Sequence, residues 1–212
     1  MKIIMRGWMG LLLWSLLPSL SVAATPMDNF FTGLSTFTAS FDQTITDTKG
    51  VVTQEASGVV TISRPGKFRW DYSAPYVQVV LGDGQHLWTY DADLEQVTVK
   101  PQADALAGTP ALLLSAEEQP GALFNIKSLP SRDGELWFEL LPKAADTQFS
   151  QLRLGFKGDV LEVMELVDAF DQTTQIRFSK LQRNGHVDTH QFDFTPPAGV
   201  DVIGEMPNTS LR

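Results

Sequence analysis

From Phe37 onward, apolar and polar residues alternate in short runs rich in β-branched and aromatic side chains. This alternation is typical of strands that bury one face. The runs in the first half of the chain are FTASFDQTI, EASGVVTIS, KFRWDY, VQVVLG, HLWTYD and LEQVTV. Turn-forming sequences separate them, notably DTKG, RPGK and GDGQ. We therefore predict an antiparallel meander.

The strand pattern resumes after residue 122 and continues nearly to the end of the chain. The runs are LFNIKS, ELWFELLP, QLRLGF, VLEVMELVD, TTQIRFSKL and HQFDFTPP, with KGD and RNGH as predicted hairpin turns. No internal repeat or low-complexity linker interrupts them. We predict a mainly β (α+β) fold over residues 25–212, a single domain built on one large antiparallel sheet of about ten or eleven strands.

Two segments depart from this pattern and predict short helices. In TPMDNFFTGL, Thr25 is a predicted N-cap, Pro26 occupies the first helical position and Asp28 is placed to complete a capping box. In PQADALAGTPALLLSAEEQPG, Thr109 and Pro110 have the same roles, three leucines follow, and PG closes the segment. Helices this short are marginal alone, so we expect both to rest their apolar side on the sheet.

The N-terminus has the features of a secretory signal. Lys2 and Arg6 precede an apolar run from Trp8 to Leu17, and the small residues of PSLSVAA follow it. The run is too short to span a bilayer comfortably, which makes a retained anchor helix the weaker alternative. We predict that residues 1–24 are a cleaved signal peptide.

Loss of Lys2 and Arg6 with that peptide lowers the number of basic residues from 16 to 14 and moves the formal net charge from −9 to −11. An acidic surface is repelled by nucleic-acid phosphates and by anionic lipid headgroups. We therefore expect no nucleic-acid partner and no stable membrane insertion. The sequence contains no cysteine, which excludes disulfides, thiolate metal sites and a cysteine nucleophile.

Few residues are candidates for catalysis or metal binding. The sequence HVDTH holds His186 and His190, but the segment follows an NG turn and is predicted to enter a strand, where residues four apart lie roughly 13 Å from each other. DADLE, from Asp91 to Glu95, lacks the glycine and the distal glutamate of a calcium loop and is interpreted as an acidic turn. No sequence motif of a nucleophile, a phosphate-binding loop or a dinucleotide site occurs. We expect no enzyme, no metal and no cofactor.

The large apolar side chains of the predicted strands are the remaining unusual feature. One interpretation is an ordinary two-layer domain with a filled core. The other is an apolar cavity, because two short helices cannot cover so many strands. The inward-facing candidates for its wall are Phe41, Phe68, Trp70, Val79, Leu81, Trp88, Leu136 and Phe138.

Five segments, FTASFDQTITD, RPGKFRWDYSAP, GDGQHLWTYDADLEQ, GTPALLL and FDFTPPAGVDV, together resemble the periplasmic outer-membrane lipoprotein carrier family of the LolA type. The resemblance covers nearly the whole mature chain in the same order. It implies an unclosed half-barrel, covered by lid helices, that encloses the acyl chains of outer-membrane lipoproteins. It also implies two partners of the periplasmic carrier, an inner-membrane ABC lipoprotein-releasing complex and an outer-membrane lipoprotein receptor.

The resemblance also implies roles for single residues. Arg64 matches the family arginine that hydrogen-bonds to the lid and holds the carrier closed; the alternative is a solvated turn arginine. Ala111 departs from the pattern, because a bulkier residue would pack more tightly there. The expected lid residues are Pro110, Leu112 and Leu113, and the expected acyl-chain cavity residues are Phe31, Phe41, Phe68, Trp70, Val79, Leu81, Leu136 and Phe138.

The sequence thus predicts a monomeric periplasmic chaperone that shields lipoprotein acyl chains and shuttles them between the two membranes. A lipid- or lipoprotein-sensing binding module of similar half-barrel architecture is the alternative, although no second domain or anchor is evident. A hydrolase acting on lipids is the third interpretation, and it lacks a nucleophile paired with a base.

Overall fold

A single open sheet dominates the computed structural model, which describes residues 24–103, 110–145, 147 and 149–204. The predicted signal peptide lies outside these residues, apart from Ala24. Within them the sheet order is β12-β6-β5-β4-β3-β2-β1-β11-β10-β9-β8-β7. The strands are β1 Thr36–Thr46, β2 Val52–Ser63, β3 Lys67–Ala74, β4 Gln78–Asp83, β5 His86–Asp91, β6 Gln96–Pro101, β7 Phe124–Arg132, β8 Glu135–Pro142, β9 Phe149–Lys157, β10 Val160–Asp168, β11 Thr173–Arg183 and β12 Asp201–Gly204.

Among the described residues, the edge strands β7 and β12 do not pair with each other, so the sheet does not close into a barrel. The predicted unclosed, mainly β architecture is confirmed. Every pairing is antiparallel except that of β12, which runs parallel to β6. No helix in the described part of the chain is long and apolar enough to cross a membrane.

The first predicted helix is confirmed as α1, Pro26–Phe31. Thr25 Oγ1 accepts a hydrogen bond from the Asp28 N–H at 3.1 Å, and Asp28 Oδ2 accepts one from the Thr25 N–H at 2.9 Å. This reciprocal capping box satisfies backbone donors that a helix N-terminus would otherwise leave without partners. The helix presents Phe30 and Phe31 to the sheet, where both are buried.

The second helical segment is divided. Helix α2 spans Pro110–Ser115, and the predicted cap Thr109 lies outside the described residues. The prediction that PG closes the segment is wrong, because Pro120 begins a further short helix, α3, Pro120–Leu123. Proline suits a first helical position as well as a stop, since its missing N–H would have no helical partner there.

Two predictions near the C-terminus are also wrong. Asn184 does not form a hairpin turn; its side-chain oxygen accepts a hydrogen bond from the Ser35 N–H at 2.8 Å, and its amide donates to Gly33 O at 2.9 Å. HQFDFTPP is not a strand, since Thr189–Phe192 form a 3-10 helix capped by Asp188. The paired prolines that follow cannot donate to a strand ladder.

We call the sheet face that carries the helices the inner face. Its main core consists largely of aromatic and branched side chains, and edge-to-face contacts fix several rings. Phe37 is fully buried, and the centre of its ring lies 6.1 Å from that of Phe30 and 5.5 Å from that of Phe178. These contacts join α1 to the centre of the sheet.

The outer face has a second, smaller core. It consists of Leu81, Trp88, Val97 and Val99, and Val79, Tyr90, Phe194 and Val200 pack against it. The C-terminal segment that contributes Phe194 and Val200 therefore covers this half of the outer face. This second core explains why strands β4 and β5 are apolar on both sides.

The main core gives a direct stability test. Phe37→Ala should lower the free energy of unfolding by about 3–5 kcal/mol, because the buried ring leaves a cavity between α1 and the sheet. Phe170, 80% exposed in the β10–β11 turn, is the matched control, and its change to alanine should stay within about 0.5 kcal/mol of the parent. Urea denaturation of the three proteins measures both values. Equal stability of the two variants would contradict this description of the core.

Candidate functional site: an apolar cavity under a latched lid

A cavity of about 300 Å³ lies between helix α2 and the inner face of the sheet. Its wall is drawn from both halves of the sheet and, on the lid side, from Ala111. The lining residues are Gln43, Phe68, Trp70, Tyr72, Val80, Leu87, Ala111, Leu166, Thr174 and Ile176. These described lining residues are mostly apolar, and none of them carries a charge. Such a site suits a neutral, hydrophobic ligand.

Strand β3 supplies one side of the cavity. Because successive side chains in a strand point to opposite faces, Phe68, Trp70 and Tyr72 all lie on the inner face. Phe41 of β1 packs behind two of them, with ring centroids 4.9 Å from Trp70 and 5.1 Å from Tyr72. The alternating aromatics of the sequence FRWDY are therefore a rigid wall of the cavity.

Arg64 links the sheet to the lid. It lies in the turn between β2 and β3, where its backbone N–H donates to Ser35 O at 2.8 Å. Its side-chain Nε donates to Leu114 O at 2.8 Å, and Nη2 donates to Leu113 O at 3.0 Å. The guanidinium carbon lies 5.5 Å from the centre of the Phe31 ring. The planar guanidinium fork can hold two carbonyl groups at once, which a single ammonium group cannot do as well.

These contacts provide hydrogen-bond donors for the carbonyl groups at the C-terminal end of helix α2. The last carbonyl groups of any helix lack partners within the helix. Arg64 satisfies those of Leu113 and Leu114, and the Gly66 N–H donates to Ser115 O at 2.8 Å. A cation at a helix C-terminus is also favoured by the helix dipole. Burial lowers the pKa of Arg64, and the negative charge of Glu118 opposes that shift.

Gln102 fixes the β2–β3 turn, which contains Arg64. We call the hydrogen bonds from Arg64 to the end of α2 the latch. Its side chain is buried; Nε2 donates to Gly66 O at 2.6 Å and Oε1 accepts from the Gly84 N–H at 3.0 Å. The carboxamide thus ties the β2–β3 turn to the β4–β5 turn. Sequence reasoning did not identify Gln102, because a glutamine after a strand gives no signal of a contact with two distant turns.

The predicted cavity residues occupy different parts of the protein. Phe68 and Trp70 line the cavity. Phe31, Phe41 and Phe138 are buried in the main core and do not line it. They support the wall and the lid from behind.

Two predicted cavity residues lie on the wrong side of the sheet. In the β3–β4 pairing Trp70 is opposite Val80, whereas Val79 is opposite Asp71 and Leu81 is opposite Arg69. Residues directly opposite each other share a face, so Val79 and Leu81 belong to the outer face. The same correction applies to Trp88, which pairs with Leu81 and was also predicted to face inward.

Leu136 is also misplaced, although it shares the inner face with Phe138. It lies at the start of β8, where it is 47% exposed and outside the cavity. In the lid, Leu113 is buried and packs in the main core. Pro110 and Leu112 lie in α2, but their side chains are outside the part of the chain that the structure describes.

Several lining residues were missed by sequence reasoning. Val80 and Leu87 lie on the inner face. The sequences of β4 and β5 do not reveal which alternate residues point inward, because both strands are apolar on both sides. Leu166, Thr174 and Ile176 reach the cavity only because β11 pairs with β1, far away in sequence. Tyr72 was recognised as part of the aromatic strand but not as a lining residue.

The other candidate sites do not assemble. Asp91 to Glu95 form the predicted acidic turn, with Asp91 Oδ1 accepting from two backbone N–H groups. His190 lies in the 3-10 helix rather than in a strand, and its hydrogen bond to Asp193 raises its pKa. Across the described residues, no cluster of three or more His, Asp or Glu side chains is placed to hold a metal.

An open sheet with a lid over an apolar cavity is the architecture of a protein that encloses hydrophobic ligands. Residues 32–195 match the family described as "Outer membrane lipoprotein carrier protein LolA". An outer-membrane lipoprotein carrier protein of Methylobacillus flagellatus is 46% identical over 176 residues, which cover 83% of this chain and 86% of the relative. An outer-membrane lipoprotein carrier protein of Dechloromonas aromatica is 43% identical over 194 residues, which cover 91% of this chain and 93% of the relative. The chain belongs to the LolA family of outer-membrane lipoprotein carriers.

A solved structure has the same fold at much lower sequence similarity. An uncharacterized conserved protein from Thermus thermophilus is 11% identical, with a TM-score of 0.50, and the match covers 84% of this chain and 96% of that one. The open sheet therefore tolerates extensive sequence change. Such a likeness concerns the fold alone.

The latch can be tested by hydrogen exchange. Arg64→Leu should accelerate exchange of the Gly66 amide, which donates to the lid, by about tenfold or more, because each charge-assisted hydrogen bond contributes ~1.5–3 kcal/mol. Arg64→Lys keeps the charge but lacks the fork and should give an intermediate rate. Amides of β1 should remain protected in both variants, which shows that the sheet is intact. Unchanged protection of Gly66 in Arg64→Leu would contradict the latch.

Proposed function

We propose that this protein is a periplasmic carrier that encloses the acyl chains of outer-membrane lipoproteins and shuttles them between the two membranes. Lipoproteins would arrive from an inner-membrane ABC lipoprotein-releasing complex and leave for an outer-membrane lipoprotein receptor. The carrier performs no chemistry, needs no cofactor and acts as a monomer. Residues 1–24 are its cleaved signal peptide, and residues 25–212 form the carrier domain. The observation that supports this most directly is the apolar cavity closed by the contacts of Arg64 with α2.

The size of the cavity indicates that cargo moves the lid. A volume of about 300 Å³ lies at the lower limit of the roughly 300–1,000 Å³ that is usual for ligand pockets. Several long acyl chains need more room than this. Helix α2 is the movable part, because it is short and is held at its C-terminal end by Arg64 and Gly66.

Approximate energies are compatible with such an opening. Covering ~400 Å² of acyl surface at ~25 cal/mol per Å² contributes ~10 kcal/mol before ordering costs. Each hydrogen bond from Arg64 to the lid contributes ~1.5–3 kcal/mol at most, and less where water reaches it. Lipid can therefore displace the latch, and the latch in turn favours release by stabilising the closed state.

The end of the sheet opposite Arg64 is suited to contact the partners. Antiparallel pairing brings the β1–β2, β3–β4, β5–β6 and β10–β11 turns to this end. These turns carry the exposed apolar side chains Val51, Tyr76, Val77, Leu94 and Phe170. Exposed apolar groups gathered on one rim are typical of protein contact sites. Cargo would pass across this rim to an acceptor with a better apolar site.

Binding can be tested with a charge placed in the wall. Leu87→Asp should reduce the binding of a triacylated lipoprotein at least tenfold, because a carboxylate beside an acyl chain must lose its hydration. Leu141→Asp is the matched control, since Leu141 is 41% exposed on the outer face and should leave binding unchanged. Gel filtration of the purified mixture reports the 1:1 soluble complex. If both variants keep the lipoprotein soluble as well as the parent does, the cavity is not the binding site.

Delivery can be tested separately. Arg64→Leu should still take up lipoprotein but should pass it to the receptor more slowly, because loss of the latch removes the free energy with which closing opposes lipid binding. The measurement is the transfer rate from preloaded carrier to purified receptor, with Arg64→Lys as the conservative variant. A normal transfer rate in Arg64→Leu would disprove the role of the latch in release.

A further inference from the structure

The polar side chains among the described lining residues lie at one end of the cavity. Gln43, Tyr72 and Thr174 contribute its polar side chains, and all three lie near strand ends on the side of the sheet away from Arg64. Phe68, at the start of β3 and close to the Arg64 turn, lies toward the other end. An apolar ligand alone would not require this asymmetry, since phenylalanine would pack as well as tyrosine at position 72.

The polar groups are available to a ligand. Tyr72 Oη donates to Gln43 Oε1 at 3.3 Å, which is long for a hydroxyl hydrogen bond. Neither the Gln43 side-chain nitrogen nor the Thr174 hydroxyl bonds to another described residue, and no buried side-chain polar atom of the described chain lacks a partner. These groups are therefore accessible from the cavity. An amide N–H and hydroxyl groups are hydrogen-bond donors without charge.

The uncharged donors of the cavity favour a neutral hydrogen-bond acceptor on the ligand. Burial raises the pKa of Tyr72 to about 12, so its hydroxyl stays protonated throughout the physiological range and can donate to a ligand acceptor once it turns away from Gln43 Oε1. Among the described residues, the lining carries no charge that could neutralise a phosphate or a carboxylate. Neutral acceptors, above all carbonyl oxygens, fit these donors.

We propose that Gln43, Tyr72 and Thr174 form a carbonyl-binding subsite, which receives the ester or amide carbonyls at the roots of bound acyl chains. The proposal rests on the proposed function and adds to it an orientation and a preference. The hydrocarbon tails run toward Phe68 and the lid, and the polar root of the ligand faces the rim opposite Arg64. Ester-linked or amide-linked chains are preferred over ether-linked chains of the same length.

The rigid surroundings of Tyr72 make the subsite selective. Its ring is held edge to face against Phe41 at 5.1 Å, and Phe41 in turn packs on Trp70 at 4.9 Å. A donor that is fixed by packing loses little freedom when a ligand binds. The ether analogue loses the acceptor carbonyl and leaves the donors of the subsite without a partner.

The test compares two synthetic probes, a cysteine peptide carrying a dipalmitoyl glyceryl thioether and the corresponding dihexadecyl ether. Wild-type protein should bind the diester roughly three- to tenfold more tightly, the range expected for one or two neutral hydrogen bonds. Tyr72→Phe and Gln43→Leu should each reduce this preference to less than about twofold while retaining affinity for the ether. Tyr90→Phe is the matched control, because Tyr90 packs against the outer core and should keep the full preference.

Each outcome has a distinct meaning. Loss of the preference in both inner-face variants, but not in Tyr90→Phe, supports the subsite. Equal binding of the two probes by the wild type, or a preference that persists in both variants, overturns it and leaves the carrier function intact. Failure of the wild type to bind either probe contradicts the carrier function itself, and the subsite with it.

Discussion

The closed lid depends on the hydrogen bonds that Arg64 donates to the end of helix α2. A six-residue helix has too few internal hydrogen bonds to be stable alone, and its last carbonyl groups need outside partners. Arg64 and Gly66 supply those partners from the adjacent turn of the sheet, and Gln102 fixes that turn against the next one. The polar contacts of the lid are concentrated at its C-terminal end, while its buried leucines pack in the main core. In the proposed function, the burial of hydrocarbon opens such a lid.

The open sheet explains why a cavity exists under the lid. Aromatic residues of α1 and of the central strands fill much of the inner face, with Phe37 at their centre. The space between β3 and β11 is left to Ala111, a residue too small to fill it. A bulkier side chain at this position would tighten the lid at the cost of ligand space. The small Ala111 side chain thus lies where it enlarges the site.

Local patterns predicted much of this fold, and non-local pairing accounts for the errors. The capping box of α1 was predictable because Thr25 and Asp28 are neighbours in sequence, and alternation revealed most strands. The side of the sheet on which Val79 and Leu81 lie was not predictable, because β4 is apolar on both sides. The C-terminal segment that covers its outer face lies about a hundred residues away in sequence. Phe68 and Trp70 were identified by alternation within one strand. The contact between Tyr72 and Gln43 could not be predicted, because only the order of strands in the sheet brings these two residues together.

The most direct test of the account is the position of the lid with and without cargo. Because the chain has no cysteine, single cysteines can be introduced and spin-labelled at Glu117, exposed after α2, and at Thr53, exposed on β2. Electron–electron resonance then gives the distance distribution between lid and sheet. We expect one narrow distribution for the free protein and a shift to longer, broader distances when a triacylated lipoprotein binds. An unchanged distribution in the lipoprotein complex would contradict a lid that opens to admit acyl chains.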